Sequence, residues 1–150
     1  MYLYLMKIVS YYVIVDCLEV RLSGSSRPNE GRVEVYFNKT WGTICDSDWD
    51  INDANVACRM AGFTGALSAR SSSSYGEGSG PIWMGNVGCT GRESSIGECY
   101  HSGWRVDDCN HSREAGVVCL SELMWNIQFI MLILSDVQWC MSVAVEGSNM

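Results

Sequence analysis

A small domain of short antiparallel strands around one helix, cross-linked by disulfides, is the fold class this sequence predicts. Three observations predict it. Cys45, Cys58, Cys89, Cys99, Cys109 and Cys119 form a set whose last four members recur every ten residues with Gly and Trp between them. That layout suits stapled loops and does not suit a metal clamp. Apolar and polar residues alternate over several short segments, as in half-buried strands. A single segment, by contrast, has both a helix start signal and a stop.

The elements follow in order. Val20 to Leu22 and Arg32 to Phe37 alternate, the turn-rich stretch Ser23 to Gly31 lies between them, and the two pair readily as antiparallel strands. Trp41 to Cys45 forms a third strand, reached through a turn at Asn38-Lys39. Asp50 is placed to cap the amides of Asn52 or Asp53, Asp53 suits the positive helix start, and Ala54 to Ala61 holds good helix formers up to a stop at Gly62. Cys58 lies on that helix, so its disulfide would pin helix to sheet. Ser68 to Gly80, rich in Ser and Gly, reads as a long exposed loop, and Pro81-Ile82-Trp83 begins another strand. The loop lacks the GK[ST] of a phosphate cradle. Trp41, Trp49, Trp83 and Trp104, with Tyr36 and Phe37, are expected mostly to fill the space between sheet and helix.

The chain of 150 residues fits one domain, placed at 18–120, with an apolar segment at each end. Residues 1–17 have one charge, Lys7, ahead of the apolar run Ile8 to Val15, and read as a signal peptide, with a buried edge strand as the alternative. In 121–150, Leu123 to Leu134 is apolar but short for a bilayer span, so a packed helix, a tail or a membrane tether all stay open. Ten basic residues against seventeen acidic ones, a net charge of -7, and no basic stripe argue against nucleic acid. Eight cysteines favour an oxidising compartment, and the sequons at Asn38 and Asn110 agree with it.

The segments VRLSG, GRVEVYFNKTWGTICDSDWDINDANVACRMAGF, GSGPIWMGNVGCTGRESSIGECYHSGW and CNHSREAGVVC together resemble a scavenger receptor cysteine-rich domain of the six-cysteine subgroup, from about Val20 to Leu120. The extra pair of the eight-cysteine subgroup is replaced here by Asn29 and Phe63. The resemblance implies an α+β fold, a curved antiparallel sheet of about six strands cradling one helix, and bridges Cys45–Cys109, Cys58–Cys119 and Cys89–Cys99. Spacing alone does not choose among the fifteen pairings of six cysteines. Loops of about sixty residues closed this way would each remove on the order of 4 kcal/mol of unfolded-state entropy. Cys17 and Cys140 match nothing in the pattern.

Members of the family often bind calcium through a C-D-D-x-W-D segment and a later H-x-E-D-A-G stretch. Here Asp46 keeps the first position, Ser47 replaces the second Asp, and Arg113 stands at the Glu, followed by Glu114. Asp46, Asp48, Asp50, Asp53 and Glu114 are thus the candidate calcium ligands, since the ion wants six to eight oxygens. The plainer reading makes Asp50 and Asp53 helix caps and Asp46 and Asp48 turn charges. No cofactor is required. Arg113, with Arg92, Arg105 and Arg70, would suit direct contact with anions; a surface pair with Glu114 or Asp46 is the simpler role for Arg113. His101 and His111 suggest a Cys-His nucleophile, but the disulfide frame leaves no thiolate beside them. The reading that results is a non-enzymatic extracellular module, secreted or membrane-attached, that recognises proteins or polyanionic microbial and cell-surface ligands through its loops. The alternatives are a non-catalytic accessory domain of an extracellular protease or amine oxidase, and a structural adhesion module.

Overall fold

The computed structural model describes residues 18–121. The expected signal peptide, the apolar tail, Cys17 and Cys140 lie outside them. Six strands and one helix follow in the order β1 (Glu19–Ser23), β2 (Glu30–Phe37), β3 (Thr40–Ile44), α1 (Ile51–Met60), β4 (Ala66–Arg70), β5 (Ile82–Met84) and β6 (Gly116–Cys119). Ile96–Glu98 adds one 3₁₀ turn. Among the described residues no helix is long and apolar enough to cross a membrane.

The sheet runs β4-β6-β2-β3-β5, with β1 also paired to β2. The last strand in sequence therefore sits between two earlier ones. Strand β2 pairs antiparallel with β1 from Glu19↔Tyr36 to Ser23↔Arg32, and with β3 from Glu34↔Thr43 to Phe37↔Thr40. Asn38 and Lys39 join β2 to β3 with both φ angles positive, the backbone of a two-residue turn whose twist matches its strands. One pairing differs from the expected antiparallel set: β3 and β5 run parallel, joined by a crossover that contains α1. The loop also starts later than its composition suggests. Ser68 and Arg70 belong to β4 and pair with Val118 and Gly116 of β6, because backbone pairing needs no apolar side chain.

Asp50 caps α1 with its Oδ1, which accepts from Asn52 N at 2.8 Å and Asp53 N at 3.2 Å; Asp53 Oδ2 accepts in return from Asp50 N at 2.8 Å. This reciprocal box satisfies amides that the helix start leaves unpaired. At the other end Gly62 takes φ +92°, and Phe63 N closes back on Cys58 O at 2.9 Å. The buried face of α1 offers Ala54, Val56, Ala57 and Cys58 to a core that includes Val33, Val35, Ile44, Met84 and Val117.

Trp49 and Trp83 join that core, and Trp104 stacks on Phe37 at its edge with centroids 3.8 Å apart. Trp41 and Tyr36 do not fill the helix side as expected. They meet each other at 5.2 Å, and the Arg21 guanidinium sits 4.1 Å over the Trp41 ring. Alternation along β2 and β3 puts these rings on the opposite face from Val35.

Candidate functional site

Three bridges fix the loops: Cys45–Cys109, Cys58–Cys119 and Cys89–Cys99. They are the pairs the family resemblance implies. Cys58–Cys119 ties α1 to β6, and Cys45–Cys109 ties the end of β3 to the segment before β6. The second bridge builds a rim. Asp46 N donates to Arg113 O at 2.9 Å, and the exposed Arg113 guanidinium lies 3.3 Å from Asp46 Oδ1 and 3.1 Å from Ser47 Oγ. Asp46 Oδ2 also accepts from Ser72 N at 2.7 Å. Arg113 thus pairs with Asp46 and not with Glu114.

The five candidate calcium ligands are not brought together. Asp50 and Asp53 are used at the helix start, and Asp53, with no solvent exposure, also accepts from Cys89 N at 2.7 Å. Burial, outweighing the backbone donors of Cys89 and Asp50 and helped by the Asp50 charge, raises its carboxyl to about 6. Asp48 is exposed in a turn with φ 61°. Glu114 is buried on the outer face of the sheet. Among the described residues the one convergent trio of metal-type ligands is Cys89, Glu93 and Cys99, and both sulfurs are consumed by a disulfide.

Sequence reasoning missed what surrounds Glu114. Its Oε2 accepts from Gly78 N at 2.7 Å and lies 3.8 Å from Arg32 Nε, while Oε1 meets His111 Nδ1. Arg32 bridges onward to Glu34 at 2.7 Å, and Glu34 pairs with Arg21 at 2.6 Å. Burial pushes the Glu34 carboxyl up, but the hydrogen bonds and charges of Arg32 and Arg21 prevail and hold it below its ordinary value. The loop 71–80 covers this network through polar contacts. Arg32 Nη1 donates to Tyr75 O and Gly76 O at 3.3 and 3.0 Å, and Ser73 bonds to His111 O and to Glu114 N. A Cβ at Gly78 would lie 2.7 Å from Thr43 Cγ2 and 2.8 Å from Arg32 Nε, so the close approach needs glycine. The signal available in the sequence was the Arg21–Glu34 pair, opposite each other once β1 and β2 form a hairpin.

Arg92, Arg105 and Arg70 are exposed, and among the described residues none of them is ion-paired. Arg105 is anchored by its own amide to Trp83 O at 2.9 Å, with φ 66°. His101 packs edge-on against Trp104 and His111 faces Glu114, while every described cysteine is bridged. Among the described residues these groups do not assemble a nucleophile and its base. Both sequon asparagines, Asn38 and Asn110, are exposed.

The model of the scavenger receptor cysteine-rich domain matches residues 23–120. Lysyl oxidase homolog 2 of Mus musculus is 44% identical over 130 residues, 86% of this chain and 17% of that protein. Lysyl oxidase homolog 4 of Bos taurus is 52% identical over 103 residues, 68% of this chain and 14% of that protein. The chain therefore spans less than a fifth of the length of these relatives. Among solved structures, the third SRCR domain of murine neurotrypsin has a TM-score of 0.63 at 44% identity, covering 68% of this chain and 95% of that one. The dimeric form of the SRCR domain of mouse MARCO has a TM-score of 0.57 at 52% identity, covering 61% and 87%. With the bridges, the helix and the curved sheet already in place, the match shows that this chain belongs to the scavenger receptor cysteine-rich domain family, as an extracellular, non-catalytic module.

Proposed function

We propose that this module recognises extracellular proteins or polyanions through the rim that Cys45–Cys109 holds together, with Arg113 as its central contact and the exposed Arg105 and Arg92 as further cations. The observation that supports the reading is the exposure of Arg113, half open to solvent while held on Asp46 and Ser47. A guanidinium fixed in this way is ready for a carboxylate or sulfate without first losing its rotamer freedom. Pull-down of the secreted protein on dextran sulfate, with and without calcium, tests it. Binding that weakens in Arg113→Ala and is indifferent to calcium supports the reading; binding unchanged in that variant overturns it.

The resemblance to lysyl oxidase homologs over 86% of the chain favours a second, compatible reading. In it the module is an accessory recognition domain of a larger extracellular amine oxidase and positions a catalytic unit that lies elsewhere. Peptide mapping of the native secreted protein decides this. Oxidase-domain peptides attached to the module would support it, and a native protein made only of such modules would end it.

A further inference from the structure

We infer that Asn110 is an N-glycosylation site whose glycan stands over the Arg113–Asp46 pair and restricts access to it. Asn110 is exposed, follows directly on the bridged Cys109, and is three residues from Arg113 in one tight turn, where Arg113 N donates to Asn110 O at 3.0 Å. Its Oδ1 accepts from Ser112 N at 3.1 Å and from Ser112 Oγ, which closes the turn and fixes the root of the side chain beside Arg113. Among the described residues Nδ2 donates to nothing, which leaves it free for substitution without the loss of a native bond.

The modification has a simple balance. Nδ2 of Asn110 attacks C1 of a lipid-linked oligosaccharide pyrophosphate; the N–C1 bond forms, the C1–O bond to pyrophosphate breaks with its electron pair, and Nδ2 gives up one proton. The product is a branched, hydrated sugar rooted in the same turn as Arg113. The second sequon makes a natural control. Asn38 lies at the opposite end of β3, and five residues of strand separate the two ends by roughly 17 Å.

That the rim binds ligand rests on the reading above; occupancy of Asn110 and shielding of Arg113 do not. The test uses the full chain secreted from a eukaryotic cell. Enzymatic deglycosylation in heavy-oxygen water converts a glycosylated Asn to a labelled Asp, and peptide mapping is expected to find the label at Asn110. The reaction of Arg113 with phenylglyoxal, followed by mass, is expected to be several-fold faster after deglycosylation, which keeps an acceptor oxygen in the turn. Asn38→Gln is expected to leave that rate unchanged. Unmodified Asn110, or an Arg113 rate indifferent to the glycan, overturns the inference. Dextran sulfate binding is measured in parallel, and its absence in both glycoforms counts against ligand binding at the rim and not against the glycan.

Discussion

On one face of β2, Val33 and Val35 enter an apolar core with Ala57 and the Cys58–Cys119 bridge; on the other, Arg32 and Glu34 meet Arg21, Glu114 and the loop 71–80. Consecutive residues of one strand thus work by different physics. The helix side gains from water leaving apolar surface and from covalent limits on the unfolded chain. The loop side gains little net energy, because desolvating its charges offsets much of their attraction, and each buried charge keeps a second partner when one is removed.

The largest test of the contrast is reduction. Opening Cys45–Cys109 and Cys58–Cys119, whose partners are 64 and 61 positions apart in sequence, should remove on the order of 4 kcal/mol each. These terms are not additive, but they rival the ~5–15 kcal/mol that holds a typical domain. Near-ultraviolet dichroism is expected to collapse under reductant and to survive a chelator. Intact dichroism after full reduction would move the weight of stability off the covalent frame.

Next in size is Glu114→Ala, which leaves the Gly78 amide without its buried acceptor and Arg32 with Glu34 as its one carboxylate, and should cost ~1–3 kcal/mol by urea denaturation. Loop 71–80 should become the first site of protease cleavage. A loss below about 1 kcal/mol would show that the charges are dispensable for stability.

Two of the three buried carboxylates among the described residues, Asp53 and Glu34, sharpen the comparison through pH. Asp53, raised from 3.8 to about 6, takes up its proton first in the folded state, so its contribution rises as pH falls between those values, by at most ~3 kcal/mol. Glu34 behaves in the opposite sense: its folded value is lowered, its stabilisation is complete above 4.5, and it is lost as pH falls further. Wild-type stability relative to Asp53→Asn should therefore grow from pH 7 to 4.5, whereas the penalty of Glu34→Gln should shrink below pH 4.5. Urea midpoints with parallel pH slopes in all three proteins would contradict both assignments.

The smallest effects belong to the rim. Arg113→Ala should change stability by ~0–1 kcal/mol, since an exposed ion pair contributes little. Calcium at millimolar concentration should leave the melting temperature unmoved, because Asp46 is engaged by Arg113 and Ser72 and Glu114 by Gly78 and His111. A calcium-dependent rise would mean that these contacts yield to the ion.

Local chemistry made the helix side legible from sequence. Asp50 and Asp53 announced the helix start, Gly62 its end, and alternation in Arg32 to Phe37 a strand with one apolar face. The outer face was opaque because its order is non-local. Nothing near Glu114 in sequence says that it will be buried, since Arg32 and Gly78 reach it across 82 and 36 residues. The same holds for Trp41, whose side was decided by register and by Arg21 from the neighbouring strand. The calcium set looked plausible for the reverse reason: acids close in sequence around Asp46 to Asp53 diverge once two of them serve the helix.

The placement of β6 between β4 and β2 bears on how the chain matures. Until Gly116–Cys119 leaves the ribosome, the middle of the sheet is a slot with an unsatisfied edge on either side, and Cys58 has no partner to oxidise with. Closure of the sheet and of the Cys58–Cys119 bridge therefore both wait for the last strand. A nascent chain stalled short of it would carry Cys58 without its native partner and an open, aggregation-prone sheet.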